Sequence, residues 1–253
     1  MLKNQKIIVF GGDGLIGRDI TQAIVENNGT AIVASRTEKP ALFTNLDGAA
    51  RHQIQFLKTD VTDENSVMSL FSRAPEKFGQ IDAVVNCSFP QTAGFGDKFE
   101  DVQFDNFCSN VNAHLGSAFL ICQNACKYFE SVGGGSIVNF SSIYGFMNPK
   151  FKIYEDTPMT KEVEYIVCKS AIIQLTGYLA KYYKGKGIRV NCVSPGGIAD
   201  NQNQNFIDRY NENSLSKGML DGVDIVGTVL FILSQGSRYI NGQNLVVDDG
   251  FSL

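Results

Sequence analysis

Seven short runs rich in β-branched and aromatic residues recur along the chain, separated by helix-length patterns, and this alternation limits the possible folds more than any other feature. The runs are 6–10 (KIIVF), 30–34 (TAIVA), 54–58 (IQFLK), 82–86 (DAVVN), 136–140 (SIVNF), 188–193 (IRVNCV) and 244–248 (NLVVD). The helical intervals are 15–27, 63–78, 101–130, 162–184 and 221–234. Strands that alternate with helices lie parallel, with the crossover helices covering both faces of the sheet. The expected fold class is therefore α/β and doubly wound, one domain over residues 1–253 with about seven parallel strands. No internal repeat, low-complexity tract or linker divides it. One stretch breaks the rhythm: residues 145–163 (GFMNPKFKIYEDTPMTKEV) hold two prolines and mixed charge, and predict a long irregular loop.

Charge narrows the partners. A formal net charge of −4 leaves no basic surface for a phosphate backbone, so nucleic acid is not expected. The longest apolar runs, such as 225–233 (IVGTVLFIL), are too short to cross a bilayer. The N-terminus enters a strand without a signal-peptide core, so no membrane contact and a cytoplasmic location are expected. The six cysteines (Cys87, Cys108, Cys122, Cys126, Cys168 and Cys192) lie mostly in apolar segments with no C-x-x-C pair, which predicts reduced, buried thiols and no metal site.

The first strand runs into 9-VFGGDGLIGRDI-20, a glycine-rich turn that opens a helix. Glycines let backbone approach a pyrophosphate, and the free N–H groups of a helix N-terminus favour the anion, so Gly11, Gly14, Leu15, Ile16 and Gly17 are candidates to hold a dinucleotide in a Rossmann fold. At the end of the second strand an acid would hold ribose hydroxyls; here the chain reads Ser35 and Arg36, which favours a 2′-phosphate and hence NADP(H) over NAD(H). Farther along, Tyr165 and Lys169 stand four residues apart on one helix face, within reach of each other.

These motifs resemble the short-chain dehydrogenase/reductases of the single-domain type. The resemblance runs through GGDGLIG, Asp60 in TDV, DAVVN, 135-GSIVNFSS-142, Tyr165-x-x-x-Lys169, 189-RVNCVSPGGI-198 and the terminal 241-NGQNLVVDDG-250. It implies a hydride-transferring oxidoreductase in which Ser142 bonds the substrate oxygen and Tyr165 is the general acid/base. Lys169 would hold the nicotinamide ribose and favour the phenolate, since a phenol with pKa near 10 is a poor base at neutral pH. It further implies that Asp60, Val61, Asn86, Pro195, Gly196 and Ile198 line the cofactor site, and that the long helices form a homodimer or homotetramer.

Departures from the family pattern are informative. Leu15 and Phe10 stand where the usual turn has a glycine and a threonine, and Phe89 and Pro90 follow Asn86 where the family has small residues. The position of a relay-holding asparagine falls on His114 in an ungapped alignment, and on Asn112 only with a shift. Asp200, in place of a threonine, is expected to cap the next helix. The segment 145–163 is an active-site insertion, because 22 residues separate Ser142 from Tyr165, more than the family's usual spacing. Residues 199–217 correspond to a substrate lid. Its start, 199-ADNQNQNFIDRYNEN-213, is rich in amides that suit a polyhydroxylated small-molecule substrate. SSIYG, the insertion and the ending INGQNLVVDDGFSL together resemble the subgroup associated with flagellin and surface-polysaccharide modification, which implies a sugar derivative.

Overall fold

The computed structural model describes all 253 residues. In chain order the elements are β1 (Lys6–Phe10), α1 (Leu15–Glu26), β2 (Thr30–Ser35), α2 (Gly48–His52), β3 (Ile54–Lys58), α3 (Glu64–Phe78), β4 (Ala83–Asn86) and α4 (Phe104–Val111). They continue with α5 (Ser117–Val132), β5 (Gly135–Phe140), α6 (Val163–Tyr182), β6 (Ile188–Pro195), α7 (Gln204–Asn211), α8 (Gly222–Leu233) and β7 (Asn244–Val247). The seven strands form one parallel sheet in the order β3-β2-β1-β4-β5-β6-β7, a doubly wound Rossmann architecture.

Two-residue periodicity explains why both faces of the sheet are covered. In β1, Ile7 and Val9 enter one apolar cluster with Ile20 and Ile24 of α1 and Ile225 and Val229 of α8. Their neighbours Ile8 and Phe10 enter the opposite cluster with Leu70 of α3, Ile121 of α5 and Leu179 of α6. Truncating one such buried Ile or Leu to Ala costs about 2–5 kcal/mol, so these layers fix the register of the whole sheet. The chain steps outward from β1 to β2 and β3, then returns to β1's other side as β4. That reversal opens a crevice beyond the carboxyl ends of β1 and β4, where ligands bind in open α/β sheets.

Between α4 and α5, residues Asn112–Gly116 form a π-helical turn, which holds one more residue than an α turn and joins the two helices into one bent rod. The insertion is not loose. It carries a 3-10 turn, Phe151–Tyr154, and buries Ile153 and Tyr154 against Phe206 and Tyr210 of α7, Met219 and Phe251. Tyr210 stacks on Phe251 with centroids 4.1 Å apart, and Arg209 pairs with Asp156 at 3.1 Å. Insertion, lid and the residues after β7 thus make a third apolar cluster that roofs one end of the crevice. Four cysteines are buried, but Cys108 is exposed on α4, contrary to the expectation for the set; all six are free thiols.

Candidate active site

The first wall of the crevice is the β1–α1 turn. Gly11 has φ +67°, and a Cβ there would lie 3.1 Å from the Cys87 carbonyl oxygen; a Cβ on Gly17 would collide with the Gly11 carbonyl oxygen. Only glycine permits both conformation and approach. Gly14 caps α1 without a side chain, so the first N–H groups of the helix remain directed at the crevice. These features form a cradle for a phosphate, and the residues present fit a dinucleotide.

The crevice has a volume of about 760 Å³. Of the residues expected at a cofactor site, Gly11, Gly14, Leu15, Ile16, Gly17, Ser35, Arg36, Asp60, Val61, Tyr165, Lys169, Pro195, Gly196 and Ile198 line it. Asn86 does not. It is buried at the end of β4, where its Oδ1 accepts hydrogen bonds from Ser88 N at 3.2 Å and Ser88 Oγ at 2.5 Å, shaping the loop rather than facing the crevice. Hydrogen bonds from Thr62 to Asp60, supplemented by the charge of Arg36, hold the Asp60 carboxyl below its ordinary value. A second cation escaped the sequence reading: Lys39 lines the same end and pairs at 2.9 Å with Asp13 of the glycine turn.

At the other end, Ser142, Tyr165 and Lys169 converge on the crevice from β5's exit and α6. Lys169 is 5 % exposed and donates from Nζ to the Phe140 carbonyl oxygen at 3.0 Å. Burial pushes its ammonium below the usual lysine value. Ser141 Oγ donates to the Lys169 carbonyl oxygen at 2.7 Å, tying α6 to β5 and fixing the helix face that points inward. The Ser142 Oγ accepts from Tyr144 N at 3.2 Å, leaving its hydroxyl proton to be donated elsewhere.

His114, on the π turn, is buried beside this group, its ring centroid 6.4 Å from that of Tyr165, whereas Asn112 is exposed. Of the two candidates, His114 is thus the one that lies beside Tyr165. His114 does not line the crevice, because Phe89 packs edge-on against both it (4.7 Å) and Tyr165 (5.5 Å). Its Nε2 has no hydrogen-bond partner, and burial, with the Lys169 charge adding to it, pushes the imidazole down to about 2.

The lid departs from expectation. Its amides serve the lid itself: Asn203 caps α7, Gln202 bonds the Ile198 carbonyl and the Asp200 amide, and Asn211 accepts from Met219 N. What α7 and its flanks turn to the crevice is Phe206, Tyr210 and Met219 with the one amide Gln202, joined by Tyr144, Tyr154 and Met159. Asp200 does not cap the helix; Asn203 does, and Asp200 lines the crevice. The insertion adds Thr160, Lys161 and Glu162 to the wall beside Tyr165.

The family profile described as enoyl-(acyl carrier protein) reductase matches residues 14–252. The chain is 39 % identical over 256 residues to post-translational flagellin modification protein A of Campylobacter coli, covering 100 % of both. It is 27 % identical to a 7alpha-hydroxysteroid dehydrogenase of Bacteroides fragilis, over 99 % of this chain and 95 % of that protein. Its structure resembles that of a short chain dehydrogenase from Leptospira borgpetersenii with bound NAD+, at a TM-score of 0.88 and 29 % identity, covering 100 % of this chain and 94 % of the other.

Proposed function

Since the chain belongs to the short-chain dehydrogenase/reductase family of nicotinamide-dependent oxidoreductases, we propose that it uses NADP(H) to interconvert a polar, carbohydrate-derived carbonyl and the corresponding secondary alcohol. The observation that carries the reading is the convergence of Ser142, Tyr165 and Lys169 on the crevice that the glycine turn opens. A bound nicotinamide dinucleotide supplies or accepts the hydride. The protein's own groups manage the oxygen. Ser142 donates a hydrogen bond to it and orients the carbon. Tyr165 passes a proton to it during reduction and removes one during oxidation. Lys169 favours the phenolate electrostatically and holds a ribose hydroxyl. His114 stays neutral near neutral pH and supports a proton path behind Phe89.

The preference for NADP(H) is supported by Arg36 and Lys39 at the adenosine end, where no acid stands at the end of β2. The sugar reading is supported by similarity to the flagellin modification protein and by the mixed wall, in which Thr160, Lys161, Glu162 and Asp200 offer polar partners while aromatic faces flank a ring. The aromatic lining favours a second reading, a reductase of a less polar ring ketone, in keeping with the hydroxysteroid relative. Assembly as a homodimer or homotetramer is supported by the apolar outer faces of α4–α6.

The test is NADPH oxidation with a panel of ketosugars and ketosteroids. Tyr165→Phe lowers kcat on any accepted substrate by about 10²–10⁴ with NADPH binding retained. Tyr154→Phe, which removes a hydroxyl bonded only to Tyr144 at 3.1 Å, keeps most activity. Turnover in Tyr165→Phe within about threefold of the parent would remove the assignment.

A further inference from the structure

Tyr165 lies close to two lysines, and only one of them belongs to the helical pair that the sequence displays. Lys169 Nζ is 5.5 Å from the centroid of the Tyr165 ring. Lys161, from the end of the insertion, is nearer: its Nζ stands 3.7 Å from the same centroid, well within cation–π range. Its side chain is 17 % exposed and lines the crevice. Glu162 pairs with it at 3.0 Å and so tethers the ammonium next to the phenol.

We propose that Lys161 is a positioning residue that holds the Tyr165 ring and, with Lys169, supplies the positive field in which its phenolate forms, with Glu162 setting how much of that field the ring receives. The inference rests on Tyr165 as the acid/base group proposed above. The position of Lys161 is set by the insertion, whose buried Ile153 and Tyr154 anchor the preceding turn to the lid cluster and deliver residues 159–162 to the crevice wall. The insertion would then shape the chemistry as well as roof the substrate.

Every titratable or charged group facing the phenol enters the balance. Lys169 comes from α6, Lys161 and Glu162 from the insertion, His114 from the π turn, Tyr144 from the turn after β5 and Tyr154 from the insertion. His114 is held neutral, and burial pushes both Tyr144 and Tyr154 up, so none of these three carries charge near neutral pH. Among these groups the charged ones are therefore two cations and one carboxylate, and, with the buried Glu164 of α6 the same in every variant, changing either member of the Lys161–Glu162 pair has a predictable sign.

The experiment reads ionisation directly in the substrate-free, full-length protein. The chain labelled with [ζ-13C]tyrosine gives nine resonances, and the one that Tyr165→Phe deletes is assigned to Tyr165. Its pH midpoint rises by about one unit or more in Lys161→Met, or passes beyond the alkaline limit of the folded protein, because a cation within about 4–6 Å has been removed. It falls in Glu162→Gln, which frees the ammonium, and Lys161→Arg stays near the parent. A midpoint unmoved in Lys161→Met and Glu162→Gln overturns the proposal, provided melting temperatures stay within about 5 °C of the parent. A Lys161→Arg midpoint as high as that of Lys161→Met also overturns it, since shape rather than charge would then matter. Neither result touches the turnover comparison of Tyr165→Phe, which tests the catalytic reading separately.

Discussion

The residues proposed to decide cofactor choice and proton handling would work through charge at fixed positions. Arg36 is exposed at the end of β2, so the contact proposed for it with a 2′-phosphate would be charge-assisted yet screened. Arg36→Ala should remove most of the NADPH-over-NADH preference, a loss of about 1.5–3 kcal/mol read from paired dissociation constants. His114 makes a different prediction. In the unfolded chain its pKa is about 6.5, whereas burial holds it down to about 2 in the folded protein. Between those values the unfolded chain binds the proton and the folded chain does not, so this contribution to stability is full above pH 6.5 and falls as the pH drops. At pH 5 the loss is about 2 kcal/mol. His114→Asn should therefore lose less stability than the parent between pH 7 and pH 5 in urea unfolding, and parallel losses would contradict this. His114 was legible as a neighbour of Tyr165 because an ungapped alignment of its helix already points to it. Lys161 was not: nothing local ties residue 161 to residue 165, and its reach depends on where the whole insertion is anchored.

At the level of elements, the insertion and the lid behave as one piece. Ile153 and Tyr154 pack on Phe206 and Tyr210, and Arg209 bonds the Glu155 carbonyl and Asp156. Shortening 145–163 should raise the substrate KM strongly and leave NADPH affinity within about threefold, under roughly 0.7 kcal/mol. Weakening of NADPH by tenfold in a direct titration would show that the segment also supports the cofactor end. Ile153→Ala should speed hydrogen exchange in α7 while leaving α1 and α8 unchanged, because its contacts lie in the roof cluster alone. All seven strands and the long helices were legible from periodicity, with ends displaced by at most three residues. The π turn was not, since apolar spacing continues through it. Nor was α7, whose amide-rich face outweighs Phe206 and Tyr210 in the local pattern, so the amides looked available for substrate when most are spent on caps and turns and only Gln202 lines the crevice.

The molecule as a whole presents an unbalanced surface. No helix is long and apolar enough to cross a membrane. Phe104 on α4, Phe119 on α5 and Val167, Tyr178 and Tyr182 on α6 are nevertheless exposed, all on the helices proposed to form the subunit interface. Light scattering at micromolar concentration should give a dimer or tetramer mass, and a monomer mass would contradict the assembly reading. Phe119→Glu with Tyr182→Glu should shift that mass downward without altering the sheet. The stacking of Tyr210 on the wholly buried Phe251 bears on a different process. On a ribosome the glycine turn emerges long before Phe251, so a nascent chain has its dinucleotide cradle well before it has a roof. During synthesis, N-terminal portions fold ahead of the later-emerging chain. A stalled or clipped chain lacking residues 249–253 should therefore emerge as a nucleotide-binding half-product, its aromatic wall open to water and to chaperones.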